Sequence, residues 1–205
     1  LFFYFRRMNQ KLLTNILGNT DIYLIDQILK GRYQENDLIF DAGCGSGRNL
    51  RYFHESDFVF FAIDTNTEHI KNLQEKYPKL AENFKIAALE KNPFADETFD
   101  HILCNAVLHF AKNEAHFKNM FAELVRVLKI GGSLLIRMTS DIGIEGKATH
   151  LQNGVYFLPD ESERFLLTRN LLQEMLTTHQ LSLLEPVKST VVSDLRSMTT
   201  LVLMK

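Results

Sequence analysis

The chain has 205 residues, is 45% hydrophobic and 23% charged, and carries a net charge of −2. That composition suits a globular chain with a sizeable core. The near balance of charge offers no global field for nucleic acid or for an anionic membrane, so neither is an expected partner.

The opening "LFFYFRRM" is too short for a signal peptide, and Arg6, Arg7 and Lys11 read as a solvated helix face. No apolar run is long enough to span a bilayer, and a cytoplasmic location is expected. Residues 9–30 carry apolar positions at helical spacing, punctuated at Gly18 and Thr20–Asp21, which predicts two helices ending near Gly31. The period then changes. "DLIFDA" (37–42), "FVFFAID" (58–64), "FKIAAL" (84–89), "FDHILCN" (99–105) and "GSLLIRM" (132–138) are short continuous apolar runs. Such runs suit strands covered on both faces, as in a parallel sheet. Helical patterns separate them at 47–56, 67–77 and 113–129. The alternation predicts a doubly wound α/β sheet. An irregular stretch, 139–160, leads to a helix near 169–179 with Thr168 as its N-cap. "LSLLEPVKSTVV" and "RSMTTLVLMK" then have no helix between them and read as an antiparallel pair closing the sheet. No repeat or interdomain linker divides the chain, so one domain over 1–205 is expected.

The stretch "LIFDAGCGSGRN" (38–49) packs three of the ten glycines into five residues, directly after the first strand. Ligands of open parallel sheets bind beyond the carboxyl ends of the strands, and glycine lets a ligand touch the backbone. A P-loop needs Lys and Ser or Thr after its last glycine, whereas Gly47 is followed by Arg48 and Asn49. The dinucleotide fingerprint needs a sixth-place glycine, and Arg48 stands there, which disfavours a nicotinamide oxidoreductase. The remaining pattern is Asp-x-Gly-x-Gly-x-Gly: Asp41, Gly43, Gly45, Gly47. It resembles the first motif of class I S-adenosylmethionine-dependent methyltransferases. Later landmarks follow in order: "AIDTN" with Asp64 after the second strand, "NPFADETFDHILCNAVLHF", and "ELVRVLKIGGSLLI" with Ile130 in place of the family's proline. The resemblance covers roughly 35–138. "GRN" also occurs in the tellurite-resistance-type members.

The resemblance implies a Rossmann-like fold with a mostly parallel seven-stranded sheet and a C-terminal antiparallel pair. It implies S-adenosylmethionine as cofactor and S-adenosylhomocysteine as product. Cofactor contacts are expected from Gly43, Cys44, Gly45, Gly47 and Asn49, with Asp41 bracing the loop through its N–H groups. Asp64 is expected to accept from the ribose hydroxyls, with Thr65 beside it. Asn105 and Ala106 would meet the methionyl part. The family's adenine-binding acidic residue falls at Ala88; the Leu89 N–H and the Glu90 carboxylate are the local substitutes. Residues 1–31 are expected to form a helical lid, 35–138 the cofactor-binding core, and 139–205 the substrate side with Tyr156, Phe157 and Arg164. His109 is the candidate catalytic group, since an unperturbed imidazole suits proton transfer. Arg48 and Asn49 fit either a solvated first turn or a subgroup signature. No metal-ligand spacing or nucleophile elbow occurs, and Cys44 and Cys104 read as free packing thiols in a reducing compartment. The expected reaction is methyl transfer to a small molecule; the rival reading is a non-catalytic binding protein of the same fold.

Overall fold

The structure, a computed structural model, describes residues 10–205; Arg6 and Arg7 of the basic cluster lie outside the described residues. The two expected helices are present as α1 (Gln10–Leu17) and α2 (Ile22–Leu29). Asp21 separates them because its carboxylate accepts the Tyr23 N–H at 3.0 Å, capping α2. Five parallel strands follow: β1 (Leu38–Ala42), β2 (Val59–Asp64), β3 (Phe84–Ile86), β4 (Phe99–Asn105) and β5 (Leu128–Ser140). Between them lie α3 (Arg51–Glu55), α4 (Thr67–Lys76) and α5 (Glu114–Val127). Then come three short strands, β6 (Thr149–Gln152), β7 (Val155–Phe157) and β8 (Glu163–Phe165), and α6 (Arg169–Thr178). The chain ends on β9 (Ser182–Leu183), β10 (Lys188–Val192) and β11 (Arg196–Met204).

The large sheet runs β10-β11-β5-β4-β1-β2-β3, with β11 antiparallel to both neighbours. β5 occupies one edge of β11, so β9 and β10 share the other and form one edge line interrupted around Pro186. The sheet thus has seven positions, mostly parallel, as expected.

Alternation along the strands sorts the core into two layers. Phe40, Ile102, Leu134, Ile136 and Leu201 pack with Phe117, Phe121 and Leu124 of α5. Their neighbours in sequence, Ile39, Leu103, Leu135 and Val202, pack with Leu24 of α2, Phe53 of α3 and Leu73 of α4. Both faces are therefore dry, which is why the strands read as continuous apolar runs. Each fully buried Phe contributes about 1.5–3 kcal/mol through area removed from water.

Four elements differ from expectation. The helix expected at 47–56 spans only Arg51–Glu55, because residues 43–50 form successive turns. β3 stops at Ile86, and a 3-10 turn takes Leu89–Lys91. β5 begins at Leu128, ahead of the glycine pair, and a register shift between Phe99 and His101 absorbs Gly131 and Gly132. The irregular stretch after β5 contains a separate antiparallel sheet, β6-β7-β8, seated over its own small cluster of Ile144, Leu158 and Leu166.

Candidate functional site

A cavity of about 720 Å³ opens at the carboxyl ends of β1, β2, β3 and β4. It straddles β1, whose two neighbours, β4 and β2, are reached in opposite directions, so it lies where strand order reverses. The turn after β1 supplies Gly43, Cys44, Gly45, Arg48 and Asn49, and the end of β2 supplies Asp64 and Thr65. The turn after β3 supplies Leu89 and Glu90, and the end of β4 supplies Asn105 and Ala106.

The glycine loop is folded by its own hydrogen bonds. The Gly43 and Cys44 N–H groups donate to the Ile63 carbonyl at 2.9 and 3.0 Å. The Gly45 N–H donates to Asp64 Oδ2 at 2.8 Å, while Asp64 Oδ1 accepts from the Asn66 N–H at 2.8 Å. These bonds fix the carboxylate at the cavity wall, with lone pairs left for a ligand hydroxyl. The three glycines have different reasons. A Cβ at Gly43 would strike Val107, and one at Gly47 would lie 2.5 Å from Leu73 of α4. At Gly45 φ is +52° and a Cβ would meet nothing within 4 Å, so the backbone there faces open cavity.

Asp41 and Gly47 do not line the cavity. The Gly43 and Cys44 N–H groups go to Ile63, that of Gly45 to Asp64 and that of Gly47 to the Cys44 carbonyl, so Asp41 does not brace these groups as expected. It lies beneath the loop, 1% exposed, with Oδ2 buried and unpartnered. Burial pushes its carboxyl up to about 7, against the opposing pull of Arg48. Burial likewise pushes the Cys44 and Cys104 thiols up, as suits packing residues.

The Asn49 side chain accepts the Asp21 N–H at 3.1 Å, tying the loop to the start of α2. Arg48 lies 3.3 Å from Asn105 Oδ1 and 3.5 Å from Asp21 Oδ2. The described part of the expected lid, residues 10–31, contributes no lining to the cavity; Leu24 of α2 is a core residue instead.

Several lining groups escaped sequence reasoning. His116, one turn into α5, accepts the Lys112 N–H on Nδ1 at 3.1 Å, which leaves the neutral ring's proton on Nε2. Glu90 Oε1 lies 3.2 Å from that Nε2. Phe110 stands 59% exposed at the cavity mouth. The "LHF" signal marks an exposed aromatic after a strand, but nothing in it marks the ring's direction.

His109 faces elsewhere. It sits on the 3-10 turn Leu108–Phe110 and lines two smaller cavities beyond Ala106. Burial first, then Arg164, Arg196 and Arg137, push its imidazole down to about 4. The expectation of an unperturbed imidazole is corrected: His109 is neutral at pH 7 and weakly basic.

Residues 40–136 match the methyltransferase domain family. Over these residues the chain is similar to the S-adenosylmethionine-dependent methyltransferases. A tRNA (carboxymethyluridine(34)-5-O)-methyltransferase of Arabidopsis thaliana is 35% identical over 99 residues, 48% of this chain and 23% of that one. A solved S-adenosylmethionine-dependent methyltransferase of Methanosarcina mazei superposes with TM-score 0.69 at 21% identity, over 87% of this chain and 96% of that one. The 1,6-didemethyltoxoflavin-N1-methyltransferase of Burkholderia thailandensis, solved with 1,6-didemethyltoxoflavin and S-adenosylhomocysteine, gives 0.68 at 16% identity, over 95% and 81%. The chain spans less than half the length of most curated relatives it matches.

The cavity fits the cofactor of that family. Its volume lies in the range of small-molecule sites. The open face at Gly45 admits close approach, and Asp64 offers carboxylate oxygens for ribose. The Leu89 N–H, at the start of its 3-10 turn, needs no partner within the turn. Among the described residues no cluster could hold a metal, and no helix is long and apolar enough to cross a membrane.

Proposed function

We propose that this protein transfers the methyl group of S-adenosylmethionine to a small-molecule acceptor by direct displacement. The observation that carries the reading is the coupling of Gly45 to Asp64 at the wall of a cavity at the switch point. The cofactor, when bound, supplies a sulfonium-activated methyl group with a thioether leaving group. The chain's residues bind and orient. Asp64 and Thr65 hold the ribose, Leu89 and Glu90 face the base, and Asn105 and Ala106 border the reacting end. Glu90, whose Oε1 lies 3.2 Å from His116 Nε2, stands in for the acidic residue absent at Ala88. Alignment of nucleophile and methyl carbon in a dry pocket supplies several kcal/mol of barrier lowering. A general base is needed only for an acceptor that carries a proton, and His109 does not serve as one near pH 7.

The balanced charge of the chain and the small volume of the cavities beside the cofactor site support a small acceptor over tRNA. A cytoplasmic setting accords with the two free thiols. The test is incorporation of tritiated methyl from S-adenosylmethionine into a metabolite pool and, separately, into bulk tRNA. Label in the small-molecule fraction alone is expected; label in tRNA alone overturns the acceptor class.

A further inference from the structure

Next to the cofactor cavity, sharing Ala106 with it, lies a second cavity of about 240 Å³. Ala106 turns the chain at the junction of the two with φ +62°, a left-handed conformation uncommon for alanine. Three arginines from three strands converge on the second cavity: Arg137 of β5, Arg164 of β8 and Arg196 of β11. No two are near in sequence, so only the sheet packing assembles them.

Their charges are unevenly matched. Arg137 meets Asp21 at 3.0 Å, and Arg196 meets Asp160 at 3.3 Å. Arg164 makes no ion pair among the described residues; its guanidinium donates to the Glu163 carbonyl at 2.6 Å and lies 5.0 Å from the centre of the Phe110 ring. Asp21 is shared with Arg48 at 3.5 Å, so positive charge exceeds negative charge around this cavity, and Arg164 is the guanidinium left without a carboxylate partner among the described residues. Two buried polar atoms in the same wall lack partners: Arg137 Nε and His109 Nδ1, the latter on a residue only 6% exposed. Burial first, and then the three guanidinium groups, depress the basicity of His109 at this spot.

We propose that this cavity is the anion subsite of the methyl acceptor, built to hold the carboxylate of a small monocarboxylic acid. The guanidinium fork matches a carboxylate in two parallel hydrogen bonds. Arg164 alone offers a guanidinium free of a carboxylate partner among the described residues, and one planar fork suits a carboxylate. The shared residue Ala106 places the rest of such an acid against the reacting end of the cofactor cavity. This assignment rests on the methyltransferase reading above.

The experiment uses protein saturated with S-adenosylhomocysteine and three probe sets: butyrate, octanoate and benzoate; their primary carboxamides; and butyl and phenyl phosphate. Thermal shift and isothermal titration report binding. At least one acid is expected to raise the melting temperature while its amide does not. In Arg164→Gln with Arg196→Gln that acid should bind at least tenfold more weakly, with S-adenosylhomocysteine affinity within about twofold of wild type. Arg164→Gln alone, which leaves the Arg196–Asp160 pair in place, should weaken the acid in the same direction if the double variant folds poorly. No acid binding, equal binding of acids and amides, or retained binding in the folded variants overturns the subsite. Tighter binding of the phosphate esters overturns the carboxylate assignment. Failure of wild-type protein to bind S-adenosylhomocysteine, read in its own titration, overturns the cofactor reading instead.

Discussion

Replacing Asp41 by asparagine removes one negative charge from beneath the glycine loop without changing side-chain size. Asp41 is 1% exposed and its Oδ2 has no partner. Burial raises its folded pKa to about 7 from an ordinary 3.8. The folded state therefore holds the proton more tightly than the unfolded chain. Its stabilising contribution is complete below about 3.8 and is lost as pH rises through about 7. Relative to low pH, the shift costs about 4 kcal/mol at pH 8, where the buried carboxyl is ionised, and about 2 kcal/mol at pH 5, where it keeps a proton that the unfolded chain has lost. Asparagine does not titrate, but its buried amide brings its own cost of about 1–3 kcal/mol at either pH. The two-pH difference cancels that cost, and it cancels every other titrating group common to both proteins. Asp41→Asn should therefore gain about 2 kcal/mol relative to wild type on going from pH 5 to pH 8. The assay is urea unfolding of ligand-free protein at both pH values, with circular dichroism as the signal. A gain of this size corresponds to roughly 4–8 °C in melting temperature. A relative stability that does not change between pH 5 and pH 8 would refute an uncompensated carboxylate at this position.

Three further outcomes are expected. Asp64→Ala should weaken S-adenosylhomocysteine binding roughly tenfold to a hundredfold, the worth of one charge-assisted hydrogen-bond set, in a calorimetric titration; unchanged affinity in folded protein removes Asp64 from the ribose role. Gly45→Ala should cost about 1–2 kcal/mol of ligand-free stability from its positive φ alone, whereas Gly47→Ala adds the collision with Leu73 and should cost about 2–4 kcal/mol; equal losses in urea unfolding would contradict the packing described. For His109 the folded pKa lies below 6.5, so its contribution to stability is present above that pH and is lost as pH falls towards about 4. His109→Gln should flatten the acid limb of the stability profile by up to about 3 kcal/mol. An acid limb as steep as wild type would show that the imidazole is not buried neutral.

The strand and helix alternation, the two-sided burial of the strands and the glycine loop were all legible in the sequence, because each is a local pattern. Continuous apolar runs report burial on both faces, and Asp41, Gly43, Gly45, Gly47 and Asp64 mark a strand end wherever it sits in space. Local reading failed where a neighbour outside the window decided the outcome. Gly47 with φ +74° keeps the loop open, so α3 starts later than its apolar spacing suggests. Asp41 looked like a loop brace, but β2 supplied the Ile63 carbonyl and the Asp64 carboxylate to those N–H groups first. The pairing of Glu90 with His116 joins a turn after β3 to a helix after β4. Arg164 was expected on the substrate side, but nothing local joins it to Arg137 and Arg196; β5, β8 and β11 bring the three to one wall. Sequence spacing fixes which face of its own element a side chain takes; only the register between elements far apart in the chain decides what that side chain meets.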